Sequence, residues 1–144
     1  AMVLGLTGRL DTIQAAVLLA KLEVFDVELR RRRAIAARYS AGLAGIVGVP
    51  AVPAERESAN AIYTIRTRHR DKVRALLDEA GIGTGLFYRL PLHEHPAFRD
   101  VPSRNLPVSE TLAAEVIALP MHPDLTDEEV DRVVAAVKAA VARA

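Results

Sequence analysis

Tyr88-Arg89-Leu90-Pro91-Leu92-His93 brings a phenol, a guanidinium and an imidazole into one short stretch. Tyr88 and His93 can each donate a hydrogen bond into a cleft, and Arg89, with Arg99, suits an anionic part of a substrate. His93-x-His95 also has a spacing that invites a metal reading. On an extended segment, however, alternation sends the two rings to opposite sides. His122 and Asp124 would add ligands only if two distant loops met, so no metal site is expected. His69, between Arg68 and Arg70, reads as a surface residue. Nucleophilic catalysis finds no support: Ser58, Ser103 and Ser109 lack a neighbouring base with an orienting acid. The lysines are Lys21, Lys72 and Lys138, and none has the context of a desolvated Schiff-base amine. No residue of this chain is therefore assigned a catalytic role.

Two further patterns are weaker than they look. Gly81-Ile82-Gly83-Thr84-Gly85 has the glycines of a phosphate loop but neither the dinucleotide spacing nor a following Gly-Lys-Ser/Thr. A tight helix-to-strand connection accounts for it. Arg30-Arg31-Arg32-Arg33 lies within a helical pattern, where four successive residues point around most of the circumference and form no single basic face. Solvated arginines with carboxylate partners are expected there. Few aromatic residues stand nearby to stack bases.

The elements that must position these groups follow from periodicity. Gly5-Leu6-Thr7-Gly8 is a turn leading at once into a long helix expected over about 9–41. Leu10, Ile13, Val17, Ala20, Val24 and Val27 form one apolar stripe of that helix, and Leu18, Leu22, Phe25 and Leu29 an adjoining one. That face is wider than a small domain needs, so part of it is expected to meet another domain or subunit. Gly42 and Gly45 are expected to end the helix. Residues 47–54 read as an extended connector and Ala61–Thr67 as a strand. A helix is expected from Arg70 to about Ala80, stopped by Gly81, with Val73, Leu76 and Leu77 inside. Residues 81–88 read as a short strand, and residues 90–107 as a long loop whose length favours function. Ser109 is expected to cap a short helix, and Val116–Pro120 to form a buried strand. Thr126 and Glu129 are spaced as a capping box for a last helix, with Val130, Val133, Val134, Val137 and Val141 as its apolar side. The order predicts an α+β domain, with helices against a small, mainly antiparallel sheet of three or four strands.

Composition narrows the class. The chain has 144 residues, enough for one domain with a real core, and 51 % hydrophobic residues, too many for a disordered chain. Nineteen basic residues against 18 acidic ones leave a net charge of +1, which argues against a nucleic-acid partner. There are no cysteines, so disulfides and thiolate chemistry are excluded. No run of about 18 apolar residues is present, so no membrane partner is expected and a cytoplasmic location fits.

In order and spacing, several segments together resemble the C-terminal part of the DegT/DnrJ/EryC1/StrS aminotransferase family. These are Gly5-Leu6-Thr7-Gly8-Arg9-Leu10-Asp11, Tyr88 through Pro91-Leu92-His93, His95-Pro96-Ala97-Phe98, Leu106-Pro107-Val108-Ser109-Glu110, Leu119-Pro120-Met121-His122-Pro123 and Leu125-Thr126-Asp127-Glu128-Glu129. The resemblance implies the small C-terminal domain of a type I PLP aminotransferase fold, spanning 1–144. The N-terminal domain that carries the cofactor lysine would precede it. It further implies a dimer with sites at the interface, a nucleotide-linked keto-sugar substrate and an amino donor, commonly glutamate, in ping-pong transamination. PLP would belong to the full-length parent, with none tightly bound to this fragment, which is expected to be inactive alone. Thr7 matches the family asparagine that reaches the PLP phosphate of the other subunit, and Arg9 supports the turn. Tyr88 and His93 match positions near the substrate or the closing loop, and Arg89 would meet a phosphate of the nucleotide sugar.

Some positions depart from the family pattern. Thr7 replaces the asparagine, Ala61 stands where a His often precedes the Leu-Tyr strand, and Phe87-Tyr88-Arg89 stands for His-Tyr-Pro. Each departure removes a polar or rigid element near the expected cleft. The alternative is therefore a non-catalytic dimerisation or regulatory domain from a degenerate family member. A basic binding module built on Arg30–Arg33 is a further rival, weakened by the near-zero net charge.

Overall fold

The computed structural model describes residues 8–98, 100–102 and 105–144. Helix α1 (Thr12–Leu43) starts at Asp11, whose carboxylate accepts the Ile13 N–H at 3.0 Å. Its last three turns carry Ile35, Tyr39 and Leu43 at intervals of four, and these are buried. Gly42 does not end the helix as expected. It lies within it, where α1 crosses the last helix, and termination falls to Gly45, whose φ of +78° favours glycine.

Strand β1 (Tyr63–Arg66) pairs antiparallel with β2 (Val116–Leu119), Tyr63 opposite Leu119 and Ile65 opposite Ile117. Between them run α2 (Arg70–Glu79) and α3 (Pro107–Glu115), and α4 (Asp127–Ala142) closes the chain. Val73 and Leu77 of α2, Ile117 and Leu119 of β2, and Val130, Val133 and Val137 of α4 complete one core with the C-terminal part of α1. The sheet is smaller than the expected three or four strands. Residues 81–88 touch β2 only at Gly85, which exchanges both backbone hydrogen bonds with Ala118, and Gly48 does the same with Arg66 at the other edge. Glycines at 81, 83 and 85 raise the entropic cost of an extended run, so a single bridge forms where a strand was expected.

Polar groups within this core are matched. The Tyr39 hydroxyl donates to the Pro120 carbonyl at 3.0 Å, and the Tyr63 hydroxyl pairs with Ser40 Oγ at 2.8 Å. The two rings lie 5.0 Å apart, tilted by 45°. Burial pushes the Tyr39 phenol up to about 12 and raises that of Tyr63. Helix α4 begins with the expected capping box. Thr126 Oγ1 accepts the Glu129 N–H at 3.2 Å, and Glu129 Oε2 accepts the Thr126 N–H at 2.8 Å.

The first half of α1 is different. Ile13, Val17, Leu18, Leu22, Val24, Phe25 and Val27 are all exposed, and they are distributed around the helix rather than on one face. Nineteen residues before Arg31 amount to about 28 Å of such helix. The arginines that follow meet carboxylates, as expected. Arg31 reaches Asp127 at 2.8 Å, Arg32 reaches Glu28 at 3.1 Å and Arg33 reaches Glu57 at 2.5 Å. Arg38 adds Asp127 at 3.0 Å and Asp131 at 2.6 Å, clamping α1 to α4. No described helix is long and apolar enough to cross a membrane.

Candidate functional site

The segment after the Gly85 bridge leads into a cleft of about 1000 Å³, bounded by residues 87–98, 101 and 102 on one side and by α3 on the other. Gly85 allows this path. A Cβ on it would lie 2.6 Å from Cε2 of Phe87, whose ring folds back over that backbone. Phe87 in turn meets the Tyr88 ring edge-on, with centroids 5.9 Å apart. Two 3₁₀ turns, Leu92–Glu94 and Pro96–Phe98, then fold the loop against α3. Phe87, Leu92, Phe98, Leu106 and Leu112 make the wall largely apolar. Tyr88, His93, His95 and Ser109 supply polar groups. An apolar cleft with a few convergent polar groups is the usual form of a small-molecule site.

Of the sequence-derived site residues, the structure brings Tyr88 and His93 to this one cleft. Tyr88 is 75 % exposed and its ring is free to meet a ligand. Arg89 is exposed but does not line the wall. Thr7 and Arg99 lie outside the described residues. His93 and His95 share the cleft because the turn at Leu92–Glu94 replaces the extended geometry that would separate them. His122 does not join them; its Nδ1 stands 3.9 Å from Asp124.

Sequence reasoning missed Glu110. Ser109 was expected to cap α3, but the helix opens at Pro107, with Leu106 in the cap position and no side-chain cap bond to the first turn. Proline suits this first position because its fixed φ is helical and its missing N–H would be unpaired there anyway. Glu110 Oε1 instead reaches back to the Leu106 N–H at 3.2 Å and also contacts His93 Nε2 at 3.3 Å. His93, Glu94 and Glu110 each offer a ligand atom within 4.8 Å of the others. The departures at Ala61 and Phe87 also converge. Both line a second cleft of about 320 Å³, next to the first, with Ile62, Gly85 and Met121. Alternation of apolar and polar residues could reveal neither meeting, because both join segments far apart in the chain.

The sequence profile of the DegT/DnrJ/EryC1/StrS aminotransferase family matches residues 1–138. The chain belongs to that family. It is 40 % identical over 133 residues to UDP-2-acetamido-2-deoxy-3-oxo-D-glucuronate aminotransferase from Pseudomonas aeruginosa, covering 92 % of this chain and 37 % of the relative. It is 39 % identical to a protein named pleiotropic regulatory protein from Geobacillus stearothermophilus, covering 92 % and 37 %. Among solved structures, DesV of S. venezuelae in complex with a ketimine intermediate superposes with a TM-score of 0.91 at 38 % identity, over 97 % of this chain and 39 % of that one. The chain thus spans little more than a third of the length of these relatives. The family fold includes the long N-terminal helix and the small α+β body described above.

PLP serves this family. Lys72 Nζ donates to the Ala144 carbonyl at 2.9 Å, and Lys21 and Lys138 are exposed on helices, so no described lysine lines the cleft.

Proposed function

We propose that this chain is the C-terminal domain of a PLP-dependent aminotransferase that aminates a nucleotide-linked keto-sugar, and that it is inactive in isolation. Carrying the reading is family membership over nearly the whole chain combined with coverage of only 37 % of a relative named for a UDP-sugar transamination. When bound, PLP supplies the electron sink for exchanging an amino group with a ketone. The lysine for that chemistry belongs to a preceding domain of the longer polypeptide, and the 144 residues alone bind no PLP tightly.

The part of this chain is to bind and to close. Tyr88 offers a hydroxyl to the cleft, and Arg89, which does not line it, takes a phosphate of the nucleotide sugar. His93 lines the same cleft and contacts Glu110 of α3. Thr7 is the contact to the cofactor phosphate, its hydroxyl donating one hydrogen bond. The uncovered apolar surface of α1 lies between the preceding domain and a second copy, so the enzyme works as a homo-oligomer; its expected location is the cytoplasm. Leaving that surface in water would cost about 25 cal/mol per Å².

The test is the absorbance of the intact polypeptide, supplied with PLP, before and after an amino donor is added, alongside residues 1–144 alone. A cofactor band that shifts in the intact protein and is missing from the fragment is expected. No band in the intact protein overturns the aminotransferase reading. Turnover by the fragment alone overturns the reading that it needs the preceding domain. The identity to a pleiotropic regulatory protein favours one second reading, a regulatory or dimerisation domain without catalysis. An intact protein that assembles but takes up no PLP would support it.

A further inference from the structure

Glu110 Oε1 is occupied twice, by the Leu106 N–H at 3.2 Å and by His93 Nε2 at 3.3 Å. A carboxylate oxygen has no proton to give, so the imidazole must be the donor. That places the His93 proton on Nε2. Glu94 Oε1, 4.0 Å from the same nitrogen, is too far for a hydrogen bond. His93 Nδ1 has no hydrogen-bond partner among the described residues, and the ring lines the large cleft. Which nitrogen of a histidine accepts is set by the bond the other one makes.

We infer that Glu110 is a positioning residue. It ties the Leu92–Glu94 turn to the start of α3 and holds His93 in the Nε2–H form, so that Nδ1 accepts a hydrogen bond from a hydroxyl of the sugar. The substrate half of this inference rests on the aminotransferase reading; the tautomer half does not. The three ligand atoms within 4.8 Å would also suit a cation, but both lone pairs of Glu110 Oε1 are already taken by N–H groups.

The experiment uses the intact protein labelled with ¹⁵N-histidine, with His93→Gln to assign the His93 signals. Long-range ¹H–¹⁵N correlation is expected to show the Nε2–H form. Glu110→Gln, whose amide oxygen still accepts from both donors, keeps that form, and Glu110→Ala loses it. The Nδ1–H form in the unaltered protein overturns the tautomer assignment, and no change in Glu110→Ala overturns the positioning role of Glu110, whether or not the protein is an aminotransferase. In steady-state kinetics with a nucleotide-linked keto-sugar, Glu110→Ala raises KM about tenfold with kcat within about twofold, and Glu110→Gln recovers most of the loss. A KM unchanged in a folded Glu110→Ala protein, or kcat and kcat/KM falling equally, overturns the substrate contact. Chelator treatment leaves the His93 signals in place. A stoichiometric shift of those signals on adding Zn²⁺ alone, reversed by chelator, would replace the clasp with a metal site.

Discussion

Gly42 on α1 faces Val134 on α4 so closely that a Cβ on the glycine would stand 2.7 Å from Val134 Cγ1. The two helices cross here because one of them has no side chain. Gly42→Ala gains up to about 1 kcal/mol of helix propensity. It must also displace a β-branched side chain that is stiff at χ1. We expect a net loss of about 1–2 kcal/mol in denaturant unfolding. Val134→Ala should cost stability alone yet absorb most of the Gly42→Ala penalty, and strict additivity in the double variant would refute the contact.

The Tyr39 phenol, raised to about 12 by burial, makes stability depend on alkaline pH. The unfolded chain ionises near 10 and the folded one later, so the folded state holds more protons between those values. The contribution is whole below about pH 10 and falls as pH approaches 12. Tyr39→Phe should flatten this part of a stability–pH curve. It also leaves the Pro120 carbonyl unpaired, lowering stability at neutral pH by about 1 kcal/mol.

At the start of α4, Thr126→Ala removes the acceptor for the Glu129 N–H and should cost about 1 kcal/mol by thermal or urea unfolding. The Thr126 N–H holds the Glu129 carboxyl below its ordinary value of 4.5. A lowered pKa means the stabilisation is present above that value and is lost as pH falls through it. Glu129→Gln should therefore be less sensitive to acid as pH falls below the ordinary value of 4.5, and an unchanged slope would refute the coupling.

Leu22→Glu and Val24→Glu test the uncovered half of α1, where the side chains are 63 % and 48 % exposed. In the intact protein these changes should lower the oligomer fraction seen by sedimentation, and leave the unfolding of the α1–α4 body intact. An unaltered protein that stays monomeric at high concentration would refute the assembly.

Arg89→Ala should raise KM for the nucleotide sugar about tenfold or more with kcat little changed, the pattern of lost uniform binding. Equal KM values would remove Arg89 from the substrate site.

Local order was legible in the chain itself wherever one segment carried its own signal. Thr126 and Glu129 announce their capping box because both partners lie within one turn. The periods of Val130, Val133 and Val137, and of Val73 and Leu77, state which face of α4 and α2 is buried. The breadth of large apolar residues from Leu10 to Val27 is legible in the same way, and these side chains are exposed. The arginines at 31–33 were readable as ion pairs, although their partners were not.

Other features needed the tertiary structure, for a physical reason. Gly42 looks like a helix stop until α4 is brought against it, because a glycine's role depends on what approaches it. Residues 81–88 look like a strand, but pairing is a property of two segments, and only Gly85 finds a partner. Ser109 has the chemistry of a cap, yet Pro107 starts the helix earlier, and Glu110 serves both Leu106 and His93. His93 and Glu110 are 17 positions apart, and nothing in either one's neighbours states that they meet. The sequence alone determined the family, the helices with their buried faces, and the loop that carries Tyr88 and His93. Only the tertiary structure decided which polar group meets which, because those distances arise from packing between elements and not from spacing along the chain.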